Sequence, residues 1–326
     1  MTTGRRPVVV GVENSAAGLL AVGWAADEAV RHRLPLRLVH ASEWPAEPAE
    51  AEAAYRAARH DGRLHTAHAF DWAADTYHEA GARVTVPRLS WSERRRAADD
   101  ALLEKAAAVA TTGRTGLEVS VATVEGRPVD VLRGEAPGSS MLVLGSRRLS
   151  ALTELLTTGS IAIPVSAHAP CPVAVVRGPE PATGVPPTVV VGVDGSAGSE
   201  PAVGYAFQTA SLRGASLRAV QVRPPTPNMV AAFGSESEVE EGLIRLGETL
   251  AGWSEKYPDV PVERITILGH RVRGLADAAQ DALCLVVGAR GVGGFRGMLL
   301  GSVTHGLIHH APGPLVIVPR QGEDTR

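Results

Sequence analysis

The sequence predicts an α/β protein built from two related domains in tandem, each a doubly wound, five-stranded parallel sheet. Residues 7–12 read PVVVGV and residues 188–193 read TVVVGV, so the chain opens twice in the same way. The two halves also end alike, with APCPVAVVR at 169–177 and APGPLVIVPR at 311–320. Between these landmarks short β-branched runs alternate with longer Ala-rich segments, which is the pattern of βαβ units. Repeats of this length enclose a core of their own and are therefore whole domains.

The repeat defines the domain boundaries. We expect domain 1 at residues 1–177, a linker rich in proline and glycine at 178–187, and domain 2 at 188–320. A linker of this composition favours an extended conformation. Domain 1 is the longer half, and its surplus lies between its second and third strands, at about 43–90.

In domain 1 the pattern predicts helices at 16–32 and 91–110. Its predicted strands cover residues 7–12, 36–40, 117–124, 141–144 and 173–176.

In domain 2 one helix should follow Ser196, with Pro201 in its first turn. A second should run from about Ser237 to Lys256, because Ser237 and Glu240 have the spacing of a capping box. Its predicted strands cover residues 188–193, 216–222, 262–268, 283–287 and 315–318.

Composition excludes several classes of protein. A net charge of -3 and an aromatic content of 4% argue against a nucleic-acid binder. No apolar run approaches the roughly 20 residues of a membrane span, and we expect a cytoplasmic protein. Cys171 and Cys284 belong to no CxxC or Cys/His cluster, which indicates reduced, buried thiols.

The insertion contains residues of metal-ligating type, but their spacing matches no ligand motif. A solvated insertion that caps the sheet or forms a partner surface is the better interpretation, and no metal site is predicted. The residues concerned are His60, His65, His68, Asp71, Asp75 and His78.

A glycine-rich loop after the fourth strand of domain 2 has the features of a phosphate cradle. Gly288 allows a sharp turn at the carboxyl end of a parallel strand, where ligands of open α/β sheets bind. Gly291, Gly293 and Gly294 lack a Cβ, so their amide groups can approach an anion closely. The alternative interpretation is a flexible connection between strand and helix.

The loop ends in Gly301 and Ser302, which should begin a helix whose N-terminus favours phosphate. Ser302 adds a hydroxyl donor, and Val303 falls in the same first turn. Arg290 and Arg296 could neutralise charge, although loop arginines are as often only solvated.

With this loop spaced as G, two residues, G, nine residues, G and S, both halves resemble universal stress protein domains, and the chain resembles the tandem actinobacterial type. The resemblance implies a Rossmann-like, adenine nucleotide hydrolase-like fold. In the ATP-binding branch of that family, an aspartate after the first strand and a residue ending the second hold the adenosine. Those positions are Asp194, which follows Gly192, and Val222. The resemblance also implies that the glycines and serine of the loop hold ribose and phosphates.

Domain 1 departs from this pattern. Glu13 and Asn14 replace the Asp-Gly pair, and Arg148 replaces the second loop glycine, which blocks a close backbone approach. Glu154 adds a repulsive charge, so we expect a degenerate site in domain 1. The corresponding domain 1 residues are Gly11, Glu13, Ala41, Gly145, Gly159 and Ser160.

The resulting hypothesis is a non-enzymatic, ATP-binding stress or regulatory protein, with Mg²⁺ as a possible companion of ATP. A weak ATP hydrolase is one alternative, but the chain has no Walker lysine and no SGGxDS loop, and His305, His309 and His310 have the periodicity of a packing or surface set. A ligand-independent interaction module is the other. The apolar segment 313–319 could form an exposed sheet edge, and the resemblance implies pairing between domains and homodimerisation through such edges.

Overall fold

The computed structural model describes residues 5–43, 91–146, 161–178, 186–196, 198–224, 234–291 and 299–320. The insertion at 44–90 and most of the linker lie outside this part of the chain. The elements of domain 1 are β1 (Val8–Gly11), α1 (Ala16–His32), β2 (Leu36–Ser42), α2 (Trp91–Thr111), β3 (Val119–Glu125), α3 (Pro128–Glu135), β4 (Met141–Gly145), α4 (Ala162–His168) and β5 (Val173–Val176). Those of domain 2 are β6 (Thr188–Gly192), α5 (Glu200–Arg213), β7 (Ser216–Arg223), α6 (Gly234–Lys256), β8 (Val262–Leu268), α7 (Arg271–Ala278), β9 (Cys284–Gly288), α8 (Ser302–His310) and β10 (Leu315–Val318).

All ten predicted strands are present, with shifts of one or two residues at their ends. The proline in the first turn of α5 is confirmed. The predicted start of α6 is wrong, because the helix already begins at Gly234 and Ser237 lies inside it. No proline stands between Gly234 and Ser237, so nothing stops the helix from extending by a turn.

The strands of both domains form one ten-stranded sheet in the order β3-β2-β1-β4-β5-β10-β9-β6-β7-β8. Within each domain the five strands are parallel, as predicted. The two sets meet where β10 pairs antiparallel with β5, with Val316 opposite Ala174. The expectation that β10 forms an exposed edge is therefore wrong, because domain 1 occupies that edge, and the implied pairing between the two domains through such an edge is confirmed. Homodimerisation stays a prediction and would need another surface.

This antiparallel junction determines where the two candidate sites lie. The carboxyl ends of the domain 1 strands and those of the domain 2 strands point to opposite edges of the sheet. Ligands of parallel α/β sheets bind at the carboxyl ends of the strands. The two halves therefore present their ligand edges on opposite sides of the molecule.

The hydrophobic core is divided by sheet face and not by domain. Val8 and Val10 share one buried cluster with Val189 and Val191 of domain 2. Residues of both domains also form the cluster on the other face, where Val9 packs in the same layer as Val190. Because inner strands such as β1 and β4 are covered on both faces, their sequences are continuous apolar runs, whereas β3 and β8 at the ends of the sheet are partly exposed.

Both cysteines are buried, Cys171 just before β5 and Cys284 at the start of β9. Burial raises the pKa of the Cys171 thiol, which lies 3.3 Å from the hydroxyl of Ser139. Across the described ranges, no helix is long and apolar enough to cross a bilayer.

A buried ion pair joins the domains on one face of the sheet. Arg213 at the end of α5 donates to Glu28 of α1 at 2.7 Å, and their side chains are 3% and 1% exposed. The Arg213 guanidinium also lies over the ring of Trp24, 5.9 Å from its centroid. Burial alone would raise the pKa of Glu28, but the hydrogen bond to His32 and the charges of Arg213 and Arg31 outweigh it and hold that pKa at about 2.

We predict that Glu28→Gln lowers the free energy of unfolding at pH 7 by about 3 kcal/mol, because it leaves the Arg213 charge buried without its counter-ion. The folded pKa of Glu28 lies below the unfolded value of 4.5, so the pair stabilises the protein above pH 4.5 and loses its contribution as pH falls toward 2. Urea unfolding at several pH values measures both effects.

The control is Glu241→Gln, which removes an exposed carboxylate paired with Arg245 and should change stability little. A stability difference between wild type and Glu28→Gln that is the same at pH 7 and pH 2.5 would contradict the assignment.

Candidate functional site

The candidate site of domain 2 begins with an aspartate at the carboxyl end of β6. Asp194 is exposed and is followed by Gly195, whose φ of 78° places it in the left-handed region that glycine adopts readily. The backbone N-H and the hydroxyl of Ser196 donate to Asp194 Oδ1 at 3.0 and 2.6 Å. This Asx turn holds the carboxylate in one orientation.

The second carboxylate oxygen of Asp194 faces the glycine loop that follows β9. A Cβ added to Gly291 would lie 2.1 Å from Asp194 Oδ2, well inside van der Waals contact. Only glycine fits at position 291 while Asp194 keeps this orientation. The loop and the aspartate are thus parts of a single arrangement.

The two ends of the glycine loop are tied together at its base. The N-H of Gly301 donates to the carbonyl of Ala289 at 2.8 Å, and Arg290 Nε donates to the carbonyl of Leu299 at 3.2 Å. Arg290 therefore helps to close the loop. Gly293, Gly294 and Arg296 lie outside the described residues.

Helix α8 begins where the loop ends. Gly301 is its N-cap, with extended backbone and no side-chain capping bond, and Ser302 behind it is exposed. Thr304 donates its hydroxyl to the carbonyl of Gly288 at 2.8 Å, which holds the first turn against the end of β9. The first N-H groups of a helix have no partner within the helix, so this uncapped turn offers donors to an anion.

Gly198, which the sequence analysis missed, brings the loop after β6 into contact with the loop after β9. An added Cβ on Gly288 would lie 2.7 Å from the carbonyl oxygen of Gly198, and one on Gly198 would lie 2.8 Å from the carbonyl oxygen of Arg290. The β6–α5 and β9–α8 loops therefore touch through backbone atoms. The glycine at 198, close behind Gly195, was the available signal.

Three predicted site residues of domain 2 belong largely to the core. Val222 is 9% exposed and packs against Gly274 of α7, so any contact with a ligand would come from its backbone. Gly192 faces the side chain of Leu275, and Val303 is half-buried against the same core cluster.

In domain 1 the carboxylate position has kept its serine partner but lost its turn. Ser15 donates its hydroxyl to Glu13 and accepts from the N-H of Gly18, which caps α1. Asn14 does not adopt the positive φ of Gly195, its counterpart in domain 2. A Cβ on Gly18 would lie 2.5 Å from the carbonyl oxygen of Glu13 and 2.8 Å from its Cγ.

The other described positions of domain 1 retain their packing. Gly145 lies against the backbone of Ala17, as Gly288 lies against Gly198, and Gly11 lies against Leu132. Ala41 is half-buried against the core. The residues Arg148, Glu154, Gly159 and Ser160 fall outside the described ranges.

A buried polar network next to the Glu13 turn distinguishes domain 1 further. His40 Nδ1 donates to the carbonyl of Val12 at 2.9 Å, and its Nε2 lies 3.2 Å from Asp99 of α2. Ser42 donates to the same carboxylate at 2.8 Å, and Arg95 lies 3.4 Å from it. Asp99 thus attaches α2 to the end of β2, a long-range contact that no local pattern in the sequence indicated.

No cluster of three or more metal-ligating side chains occurs in the ranges that the structure describes. The histidines of the insertion lie outside those ranges. His305 and His309 of α8 are neighbours, with ring centroids 5.4 Å apart.

Comparison with known proteins identifies the family. The model of the universal stress protein family matches residues 4–60, 45–177 and 187–319. The chain belongs to the universal stress protein family. Its curated relatives include universal stress proteins of Mycobacterium tuberculosis, 31% identical over 323 residues with 96% of this chain and 97% of the relative covered, and of Mycolicibacterium smegmatis, 32% identical over 320 residues with 95% and 96% covered.

The tandem arrangement is also found among solved structures. A universal stress protein from Archaeoglobus fulgidus superimposes with a TM-score of 0.61 at 16% identity, covering 97% of each chain. At that identity the likeness shows the fold alone. Together with the mycobacterial relatives, it shows that this chain is a tandem, two-domain member of its family.

We predict that Gly18→Ala lowers the free energy of unfolding by about 1–3 kcal/mol, because the new methyl group meets the Glu13 backbone and side chain. Gly134→Ala in α3 is the matched control. No atom lies within 4 Å of its added Cβ, and a helical alanine should be neutral or raise stability by about 0.5–1 kcal/mol. Thermal or urea unfolding measures the free energy of unfolding of both variants. Equal effects at the two positions would contradict the prediction and show that the Glu13 turn has room to move.

Proposed function

We propose that domain 2 binds ATP and that the protein acts as a nucleotide-responsive regulator in the stress response. The observation that carries the proposal is the uncapped N-terminus of α8 at the end of a glycine loop whose first part, at Gly291, faces the Asp194 carboxylate. Helix N-H groups at one end and a carboxylate at the other match a ligand with phosphates and a hydroxyl-bearing sugar.

The polar groups suit the two halves of a nucleotide. The N-H groups at the start of α8 and the Ser302 hydroxyl would hold phosphate, and Arg290 adds a positive charge at the base of the loop. Asp194 would accept hydrogen bonds from the adenosine, the part of the nucleotide that the family resemblance assigns to this position. If Mg²⁺ accompanies ATP, the exposed Asp194 carboxylate is the oxygen ligand that this part of the site offers.

Domain 1 is proposed to serve as a modified partner and not as a second ATP site. Its Glu13 carboxylate accepts from Ser15, and the turn lacks the left-handed glycine found at position 195. The network of His40, Asp99 and Ser42 ties the neighbouring strand end to α2. The cytoplasmic location and the homodimer remain predictions.

We predict that ATP binds saturably with one nucleotide per chain and that Gly291→Ala weakens binding at least about tenfold, since the new Cβ displaces Asp194. Gly252→Ala in α6 is the control, because its Cβ enters open space. Titration calorimetry gives stoichiometry and affinity.

Absence of saturable binding to the wild-type chain would refute the proposal, and two equivalent sites per chain would refute the assignment to domain 2. A Gly301→Ala, Ser302→Ala double variant tests the other end of the site. Mass spectrometry of nucleotide retained during purification identifies the natural ligand independently.

The protein is proposed to be a binder and not an enzyme, and we predict ATP hydrolysis far slower than about 1 per second, the lower end of ordinary enzymatic rates. His305, the histidine nearest the start of α8, is exposed and lies beside His309 with the two rings tilted by 48°. His305→Ala should therefore leave any residual hydrolysis unchanged. A steady-state rate in the enzymatic range that His305→Ala abolishes would establish catalysis instead.

A further inference from the structure

We infer that helix α8 couples the nucleotide site of domain 2 to the carboxyl edge of domain 1, through a hydrogen bond from Arg177 to the carbonyl of His309. The inference rests on the proposed function, since the ligand at the start of α8 is the nucleotide. It adds a physical connection from that site to the carboxyl edge of domain 1.

The first turn of α8 belongs to the candidate nucleotide site. Gly301 caps the helix, its N-H is bound by Ala289, and Thr304 is tied to the carbonyl of Gly288 at 2.8 Å. A phosphate held by the first N-H groups of α8 would therefore act directly on the position of this turn. Any shift of the loop would be passed to the helix at this end.

The last turn of α8 belongs to the junction with domain 1. The guanidinium of Arg177 donates to the carbonyl of His309 at 2.5 Å across the domain boundary. Arg177 directly follows β5, and Val175 of β5 lies opposite Leu315, the first residue of β10. Helix α8 thus runs from the ligand edge of domain 2 to the ligand edge of domain 1.

On the domain 1 side the connection continues into the loop that corresponds to the phosphate cradle. Val176, next to Arg177, accepts a hydrogen bond at 2.9 Å from the N-H of Ser146. Ser146 follows Gly145, where that loop begins. One helix and two hydrogen bonds therefore separate the nucleotide site from the start of the domain 1 loop.

The packing of α8 suits a rigid connection. It has nine residues and is uninterrupted by proline. An added Cβ on Gly306 would lie 2.7 Å from the side chain of Val272, so α8 is packed closely against α7. A helix packed in this way moves as a rigid body, so a displacement of its first turn also displaces His309 in its last turn. Coupling between binding sites is reciprocal, so a ligand on domain 1 would alter ATP affinity by the same factor.

The test is amide hydrogen exchange on the full chain, followed residue by residue by NMR with and without saturating ATP. We expect ATP to slow exchange of the Ser302 to Thr304 amides and also of the Ser146 amide, the latter by about fivefold or more. Arg177→Met removes the guanidinium and should abolish the effect at Ser146 while preserving that at the start of α8.

Arg218→Met is the matched control, since Arg218 lies in β7 away from the junction and pairs with Glu263. It should leave both ATP effects unchanged. Slowing of exchange at α8 without slowing at Ser146 in the wild-type chain overturns the coupling but leaves the proposed function standing. No slowing at either place overturns both. If Arg177→Met fails to fold, the wild-type exchange rates at Ser146 with and without ATP still test the coupling. In that case Arg177→Lys replaces it as the variant and should retain part of the effect at Ser146.

Discussion

The antiparallel pairing of β5 with β10 is the constraint on which the rest of the structure depends. Each five-stranded domain alone would expose an apolar edge strand whose unpaired N-H and C=O groups invite association. Pairing the two edge strands satisfies these N-H and C=O groups in both domains. It also merges two small cores into two continuous layers, one on each face of the sheet.

The junction organises the contacts around it. On one face it brings α1 next to α5, where Glu28 and Arg213 form a buried ion pair. On the other it brings the end of α8 next to the end of β5, where Arg177 reaches His309. Because the pairing is antiparallel, α8 begins at the ligand edge of domain 2 and ends beside the ligand edge of domain 1.

In the described parts of their sites, the halves differ through small local exchanges and not through a change of strand order. A glycine with positive φ at 195 gives domain 2 its Asx turn, and the glycine at 291 leaves room for the Asp194 carboxylate. Domain 1 replaces the first of these with Asn14, and the resulting turn requires Gly18 to have no side chain. The aspartate at 99 then fixes α2 beside it.

Much of the fold could be predicted from the sequence, because strands buried on both faces are continuous apolar runs. Each strand also occurs in both halves of the repeat, so its assignment in one half supports its assignment in the other. The start of α6 was misplaced because a capping-box pattern also occurs inside helices, as at Ser237. The family resemblance implied pairing between the domains, but the choice of β5 as the partner of β10 could not be derived, since both strands are equally apolar and no local pattern specifies a partner.

For the site, glycine and serine spacing predicted the loop and the start of α8, where the structure now places Gly301 and Ser302. Gly198 was missed because its role depends on a contact with Gly288, far away in sequence. The Asp99 network was missed for the same reason: its partners His40 and Ser42 lie before the insertion and Asp99 lies after it.

Amide hydrogen exchange within β5 and β10 tests the central claim most directly. Successive amides of a strand point alternately to its two neighbours. If β5 and β10 are paired, every amide of residues 173–176 and 315–318 should exchange only by global unfolding. Alternate amides that exchange rapidly in both strands would show that the edges are open, and the one-sheet account would be wrong.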